Sequence, residues 1–168
     1  MIDVRRIRPD EWREHREIRL NALATDPLAF GSTRSRELGY SDDLWKERTE
    51  RGALSENSAL FVADPGGTGF VGMMAIAGSE GQWHVFAMWV APGSRRRGIG
   101  GRLLDAGLAW YRERASTDPL LLDVNPRQVD AVRLYEHRGF RGTGRTAPLG
   151  HTEGEITVSM VLDARPHR

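Results

Sequence analysis

The spacing of apolar residues along the chain changes several times, and each change marks an element. Val4 to Arg8 alternates and reads as a short edge strand that Pro9 closes. Asp10 is placed to cap a helix running to about Thr25, with Trp12, Arg16, Arg19, Leu20 and Leu23 close to one face, and Asp26-Pro27 stops it. Residues 28–40 show little periodicity and read as loop. Ser41 predicts the N-cap of a second helix through roughly Arg51, with Leu44, Trp45 and Arg48 on a common side. Next come three strands of a meander: Ser58 to Asp64, Phe70 to Ala77 and Trp83 to Val90, separated by the turns 65–69 and 78–81. In the third of these, strict alternation sets Trp83, Val85, Ala87 and Trp89 against His84, Phe86, Met88 and Val90. Apolar residues on both faces predict a central strand covered on each side.

From Gly98 to about Arg114 the period returns to helical, with Ile99, Leu103, Ala106, Gly107 and Trp110 in one buried stripe. Leu120 to Val124 is a short apolar strand, and its distance from Trp89 allows a parallel crossover. Asn125-Pro126 breaks it. A last helix from about Gln128 to Arg138 brings Ala131, Leu134 and Tyr135 to one face, and Gly139 closes it before a strand begins at Phe140. Residues 142–154 read as glycine-rich loop. Ile156 to Leu162 alternates again and is expected to pair with the strand after Phe140, and residues 163–168 read as a frayed tail. The expectation is one domain over residues 1–168, an α/β (α+β) chain with a mixed, mostly antiparallel, twisted sheet flanked by helices.

Composition narrows the chemistry more than the fold. The 168 residues are 39% hydrophobic and 28% charged, which suits a soluble globular protein with a proper core. Net charge is only +1, which argues against a nucleic-acid partner. Lys46 is the only lysine. The chain has no cysteine, so disulfides, thiolate nucleophiles and cysteine-based metal sites are excluded. There is no apolar run of membrane-spanning length and no signal-like segment after Met1, so no membrane partner and a cytoplasmic location are expected.

The most informative stretch runs from Trp89 to Leu104. An apolar strand ends at Val90 and Pro92 prevents further pairing. Arg95, Arg96 and Arg97 come after it, then glycines at 98, 100 and 101, and at once a helical pattern. Strand, loop and helix start together make an anion site, because the first N–H groups of a helix have no intrahelical partner and the macrodipole adds about half a positive charge there. Glycine lets the backbone approach a ligand, and arginine suits phosphate oxygens. A P-loop is excluded, since Gly101 is followed by Arg102 and Leu103 rather than Lys-Ser/Thr. A dinucleotide fingerprint is excluded too, since Leu103 stands where a third glycine belongs.

The pattern that does match is Arg-x-x-Gly-x-Gly, carried by Arg95, Gly98 and Gly100 and preceded by Val90-x-Pro92. This resembles the acyl-CoA signature of the GNAT (Gcn5-related N-acetyltransferase) family. A second block, Ala131-Val132-Arg133-Leu134-Tyr135-Glu136-His137-Arg138-Gly139-Phe140, resembles that family's Ala-x-x-Leu-Tyr-x-x-x-Gly-Phe. The resemblance spans about Val4 to Leu162. Two positions depart from it: Gln128 stands where asparagine is frequent, and Arg96 stands where the loop commonly has glycine.

The resemblance implies acetyl transfer from acetyl-CoA to a primary amine, by direct attack and without a metal. It implies donor contacts from Met88, Trp89, Val90, Arg95, Arg96, Arg97, Gly98, Ile99, Gly100, Gly101, Arg102, Asn125, Gln128 and Tyr135. It also implies Tyr135 as general acid, with its pKa modestly lowered, and His84 as base, with Glu80 in reserve and a water chain as the alternative. Packed core roles compete for Tyr135 and for His84. Glu37, Asp42 and Asp43 could line an amine pocket, though a solvated face suits each better. The acceptor the resemblance implies is a small-molecule amine or a peptide N-terminus, and a homodimer is compatible with the sequence. The rival readings are a non-catalytic acyl-CoA-binding sensor, against which Tyr135 argues, and an arginine-triplet nucleic-acid module.

Overall fold

The computed structural model describes residues 1–79, 81–114 and 117–163. Glu80 and residues 164–168 of the expected tail lie outside the described residues. The chain forms β1 (Asp3–Arg6), α1 (Trp12–Thr25), α2 (Arg34–Leu38), α3 (Asp42–Leu54), β2 (Ser58–Asp64), β3 (Gly72–Ser79) and β4 (Gln82–Val90). It continues with α4 (Ile99–Arg114), β5 (Leu120–Val124), α5 (Val129–His137), β6 (Arg141–Pro148) and β7 (Ile156–Leu162). The described strands make one seven-stranded sheet of order β1-β2-β3-β4-β5-β7-β6, so β4 lies at its centre as expected. Every neighbouring pair is antiparallel except β4 with β5, which α4 connects as a parallel crossover.

Each face of the sheet has its own apolar layer. On one, Ile99, Leu103, Leu104 and Leu108 of α4, with Tyr135 of α5 and Phe140, pack over Met74, Ile76, Val85 and Leu122. On the other, Ile18, Ala22 and Leu23 of α1 and Ala53 of α3 cover Leu60, Val62, Met73 and Ala75. Burying a Leu or Ile side chain contributes about 1.5–3 kcal/mol, so these layers hold the helices against the sheet.

Several local expectations are corrected. Helix α1 begins at Trp12 behind Glu11 rather than at an Asp10 cap. The Glu11 carboxylate accepts from the Arg8 N–H at 2.8 Å and from the Arg5 guanidinium, which ties the helix start to β1. The inner face of α1 is built on His15, Ile18 and Ala22 rather than on Trp12 and Arg16. The segment 28–40 is not all loop: Pro27–Ala29 forms a 3-10 turn, and α2 is capped by Thr33, whose hydroxyl accepts from the Arg36 N–H. The glycine-rich stretch after Arg141 is largely strand β6, an exposed edge paired only with β7. An edge strand exposed along both faces carries no apolar alternation, so its pattern looks like loop.

Helix α3 lies unusually close to β2, because Gly52 presents no side chain where a Cβ would stand 2.8 Å from the Leu60 Cβ. Neither atom is the end of a flexible side chain, so relief requires helix and strand to separate. Overpacking costs about 1–3 kcal/mol, more than the ~1 kcal/mol that leaving glycine gains in a helix. We expect Gly52→Val to lower the melting temperature by several degrees in a calorimetric scan, at about 2–4 °C per kcal/mol for a chain of this size. An unchanged midpoint would show that α3 tolerates a wider spacing.

Candidate functional site

β4 and β5 pair only from Trp83–Leu120 to Val85–Leu122, and beyond that the two strands part. On the other side of β4 the ladder slips: Met73 opposes Trp89 while Ala75 opposes Phe86, so Ala87 and Met88 share one place opposite Met74. Ala87 adopts φ 54°, the left-handed region that disfavours a side chain. This is a β-bulge, which bends the strand and re-aims the side chains beyond it. It overturns the strict alternation expected for β4. Trp83 and Val85 face the α4/α5 layer, but past the bulge it is Met88 and Val90 that join them, while Ala87 and Trp89 pack on the α1/α3 side. The Ala91 N–H donates to Val71 O at 2.9 Å, so the Val90 N–H faces the opposite edge, where β5 no longer pairs.

The loop after β4 delivers the start of α4 to the mouth of this parting. The Arg102 N–H donates to Gly98 O, so the N–H groups of Ile99, Gly100 and Gly101 have no partner within the helix. Gly98 takes φ 76°, which glycine adopts freely. A Cβ on Gly100 would stand 3.4 Å from Leu134 and 3.6 Å from Met88, so the absence of a side chain keeps the floor open. The result is a cleft of about 650 Å³, a size suited to a cofactor-sized molecule.

The expected ligand contacts divide. Met88, Trp89, Val90, Arg95, Arg96, Gly98, Ile99, Gly100, Gly101 and Gln128 all line the cleft. Arg97 is exposed and lies outside the lining. Arg102 turns away, donating to Ile2 O at 2.9 Å. Asn125 is buried as a brace: its Nδ2 donates to Glu155 at 3.0 Å and its Oδ1 accepts from the Arg127 N–H. Tyr135, one residue beyond the cleft residue Leu134, is buried edge-on against Phe140. Burial pushes its phenol up, the opposite direction from the modest lowering expected. His84 is half-buried between Ala77 and Leu121, still in the fully paired part of β4, and shares the α1/α3 face with Phe86.

Asp26, read in the sequence only as part of the stop after α1, organises the loop. Its Oδ2 accepts from Trp89 Nε1 at 2.7 Å and from the Arg95 guanidinium at 2.6 Å. Arg95 also donates from Nε to Val90 O, so it serves chiefly to fasten the loop to β4. Arg96 is the looser cation, 3.8 Å from Asp130 with both side chains exposed.

On the α1/α3 side, Glu37 is 1% exposed and not on a solvated face. Arg19 grips it with two hydrogen bonds of 3.0 and 2.9 Å, and Arg48 approaches to 3.7 Å. Burial pushes this carboxyl up, but Arg19 and then Arg48 outweigh it and hold it below the usual range. His15 is buried beside them, its Nδ1 2.8 Å from Thr49 Oγ1. Because Thr49 spends its one proton on Trp45 O, it accepts from His15, whose Nε2 is then left as an acceptor.

A family model described as "Acetyltransferase (GNAT) family" matches residues 7–140. The chain belongs to this family. It is 31% identical over 122 residues to a mycothiol acetyltransferase of Salinispora arenicola, covering 70% of this chain and 39% of that relative's length. Among solved structures, an acetyltransferase of the GNAT family from Streptococcus pneumoniae superposes with a TM-score of 0.82 at 19% identity, covering 97% of this chain and 99% of the other. A putative acetyltransferase, yncA, of Salmonella typhimurium, solved with acetyl-CoA, superposes with a TM-score of 0.79 at 17% identity, covering 100% and 96%.

Family membership gives Arg96 its context. It stands where the family's loop commonly has glycine, and its φ of 60° is the reason glycine suits that place. Holding arginine there costs about 1–2 kcal/mol. His15 offers a test of the α1/α3 layer. Burial, then the charges of Arg48 and Arg19, push its imidazole from 6.5 down to about 3. The unfolded chain therefore takes up a proton near pH 6.5 that the folded chain refuses until about pH 3. This contribution to stability is complete above pH 6.5 and declines as pH falls, by up to about 1.4 kcal/mol per pH unit. Between about pH 5 and pH 6.5 the carboxylates barely titrate, so denaturant unfolding of His15→Gln should lose that slope relative to the parent. Parallel slopes would show the imidazole to be solvated.

Proposed function

We propose that the chain transfers the acetyl group of acetyl-CoA to a primary amine of a small molecule or a peptide N-terminus. The observation that carries this reading is the parting of β4 from β5 directly beside a glycine-lined helix start. The residues fit the donor. The free N–H groups of Ile99, Gly100 and Gly101, with the Arg96 guanidinium, match a pyrophosphate, and Gln128 at the start of α5 suits the amides of the pantetheine arm. The arm then leads its thioester between the strands to the Val90 N–H, which serves as donor to the carbonyl oxygen as negative charge gathers there.

The amine nitrogen attacks the thioester carbon, the new C–N bond forms and the C–S bond breaks. The amine's proton passes to His84, and the departing thiolate takes one from Tyr135. Burial keeps the Tyr135 phenol protonated throughout the working pH range. A thiolate released into the same apolar surroundings is raised by the same desolvation, so a buried phenol still suits it as a proton source. The solved yncA structure holding acetyl-CoA and the mycothiol acetyltransferase relative agree with this donor and reaction class.

The test is CoA release from acetyl-CoA across a panel of amines and short peptides, followed with a thiol-reactive dye. The protein has no cysteine and so adds no background. Release that depends on one amine class is expected. Acetyl-CoA binding with no release from any acceptor would favour the sensor reading. Tyr135→Phe should lower kcat by about 10²-fold or more while acetyl-CoA affinity stays put, since removal of a general acid acts on the chemical step. Unchanged turnover would remove the acid role.

A further inference from the structure

Behind β4, on the face away from the donor cleft, is a second and smaller cavity of about 100 Å³. Leu60, Met73, Ala75, Phe86 and Ala87 form part of its sheet wall, and Arg19, Arg48, Arg51 and His15 reach it from α1 and α3. Ala87 lines this cavity while its chain neighbour Met88 lines the donor cleft, so the bulge in β4 is the partition between them. Past Val85 no β5 pairing closes that partition.

The charges around this cavity do not balance. Arg19 is spent on Glu37 through a paired fork of hydrogen bonds and stacks 4.8 Å over the Phe30 ring. Arg48 comes no nearer to Glu37 than 3.7 Å, and among the described residues its guanidinium donates no hydrogen bond. It lies instead over the Tyr40 and Trp45 rings at 5.4 and 5.2 Å, with its side chain 26% exposed. Burial holds it below the ordinary arginine range, Glu37 offsets this in part, and Arg19 adds to it. Arg51 is more exposed and 3.8 Å from a solvated Glu47. His15 is neutral, so among the described residues the lining brings three guanidinium groups and no carboxylate, and the nearby Glu37 is already engaged by Arg19. A planar guanidinium without a hydrogen-bonded partner, in a partly desolvated cavity, matches a carboxylate's two oxygens.

We infer that this cavity receives the acceptor, and that the acceptor is a carboxylated amine such as an amino acid, its carboxylate held by Arg48 and its amine directed to the parting at Ala87. The inference rests on the acetyl-transfer reading and names its substrate class. Polyamines and aminoglycoside-like amines are disfavoured, because they would set cations against Arg48 and Arg51 and find the nearby Glu37 carboxylate engaged. The volume admits a carboxylate with the first carbons attached to it.

The experiment compares matched acceptors: L-alanine with ethylamine, L-phenylalanine with phenethylamine, L-lysine with cadaverine, and β-alanine with phosphoethanolamine, with spermidine alongside. CoA release gives kcat/KM for each, and the same compounds are tested for a shift in melting temperature in the presence of CoA. The carboxylated member of at least one of the first three pairs should exceed its decarboxylated partner at least tenfold. Arg48→Gln should raise KM for that acid at least tenfold, with acetyl-CoA affinity as the check that the variant is folded. Equal or better use of the decarboxylated amines or of spermidine would overturn the inference while leaving acetyl transfer standing. Preference for phosphoethanolamine over β-alanine would overturn the carboxylate. If no amine releases CoA, acetyl transfer itself fails, and the melting shift then decides the cavity. A shift from the acids alone upholds a carboxylate site, and no shift from any acid overturns it. Should Arg48→Gln not fold, the matched pairs decide on the parent protein.

Discussion

A parallel pair that is hydrogen-bonded only from Trp83 to Val85 leaves the second half of β4 with one neighbour instead of two, at the centre of the sheet. The Val90 N–H there is free to meet a ligand, while Val90 O accepts from Arg95, and a bulge at Ala87 turns the next side chains over. Both consequences are needed. Met88 and Val90 come to face the donor cleft, while Ala87 faces the cavity behind. Without the bulge, alternation would send Trp89 into the cleft-side layer and Val90 to the other, and the loop carrying α4 would leave β4 with different side chains facing the cleft. The strain at Ala87 is held in place by the two apolar layers that clamp β3 and β4 from both sides.

Polar anchors finish the work the sheet begins. Asp26, at the end of α1, fastens Trp89 and Arg95 and so joins the first helix to the glycine loop. Glu37 joins α2 to α1 and α3 through Arg19 and Arg48. A second seam ties the β6–β7 connection to the segment between α1 and α2 and to the end of β5: His151 Nε2 donates to Phe30 O at 2.6 Å, and Asn125 donates to Glu155. These anchors are polar side chains whose partners lie in other elements, up to 121 positions away in sequence. Their positions on the two sides of β4 set which arginines are satisfied and which retain donors for a ligand.

That distance explains what the sequence could and could not disclose. The glycine loop, the central strand and the crossover helix are short-range patterns, and they stand where their spacing put them. Ten of the expected donor contacts line one cleft because they belong to three consecutive elements and the start of α5. Arg102 and Asn125 were expected there and serve instead as braces, since motif position does not tell where a side chain finds its partner. Asp26, His15 and the buried state of Glu37 were illegible for the same reason: Asp26 meets Trp89 across 63 residues. The bulge was hidden because a one-residue slip leaves an apolar strand still apolar on both faces. The strand after Phe140 and its pairing with β7 were expected, but its length to Pro148 was hidden because an exposed edge has no apolar pattern to read.

Amide hydrogen exchange with and without CoA tests the central claim most directly. If the parting of β4 and the start of α4 together hold the donor, CoA should slow exchange at Val90 and at Ile99 to Gly101. Amides in the paired stretch from Trp83 to Val85 should stay as they were. Saturating CoA binding with no protection at Val90 and the α4 start, or with protection confined to other elements, would contradict the account.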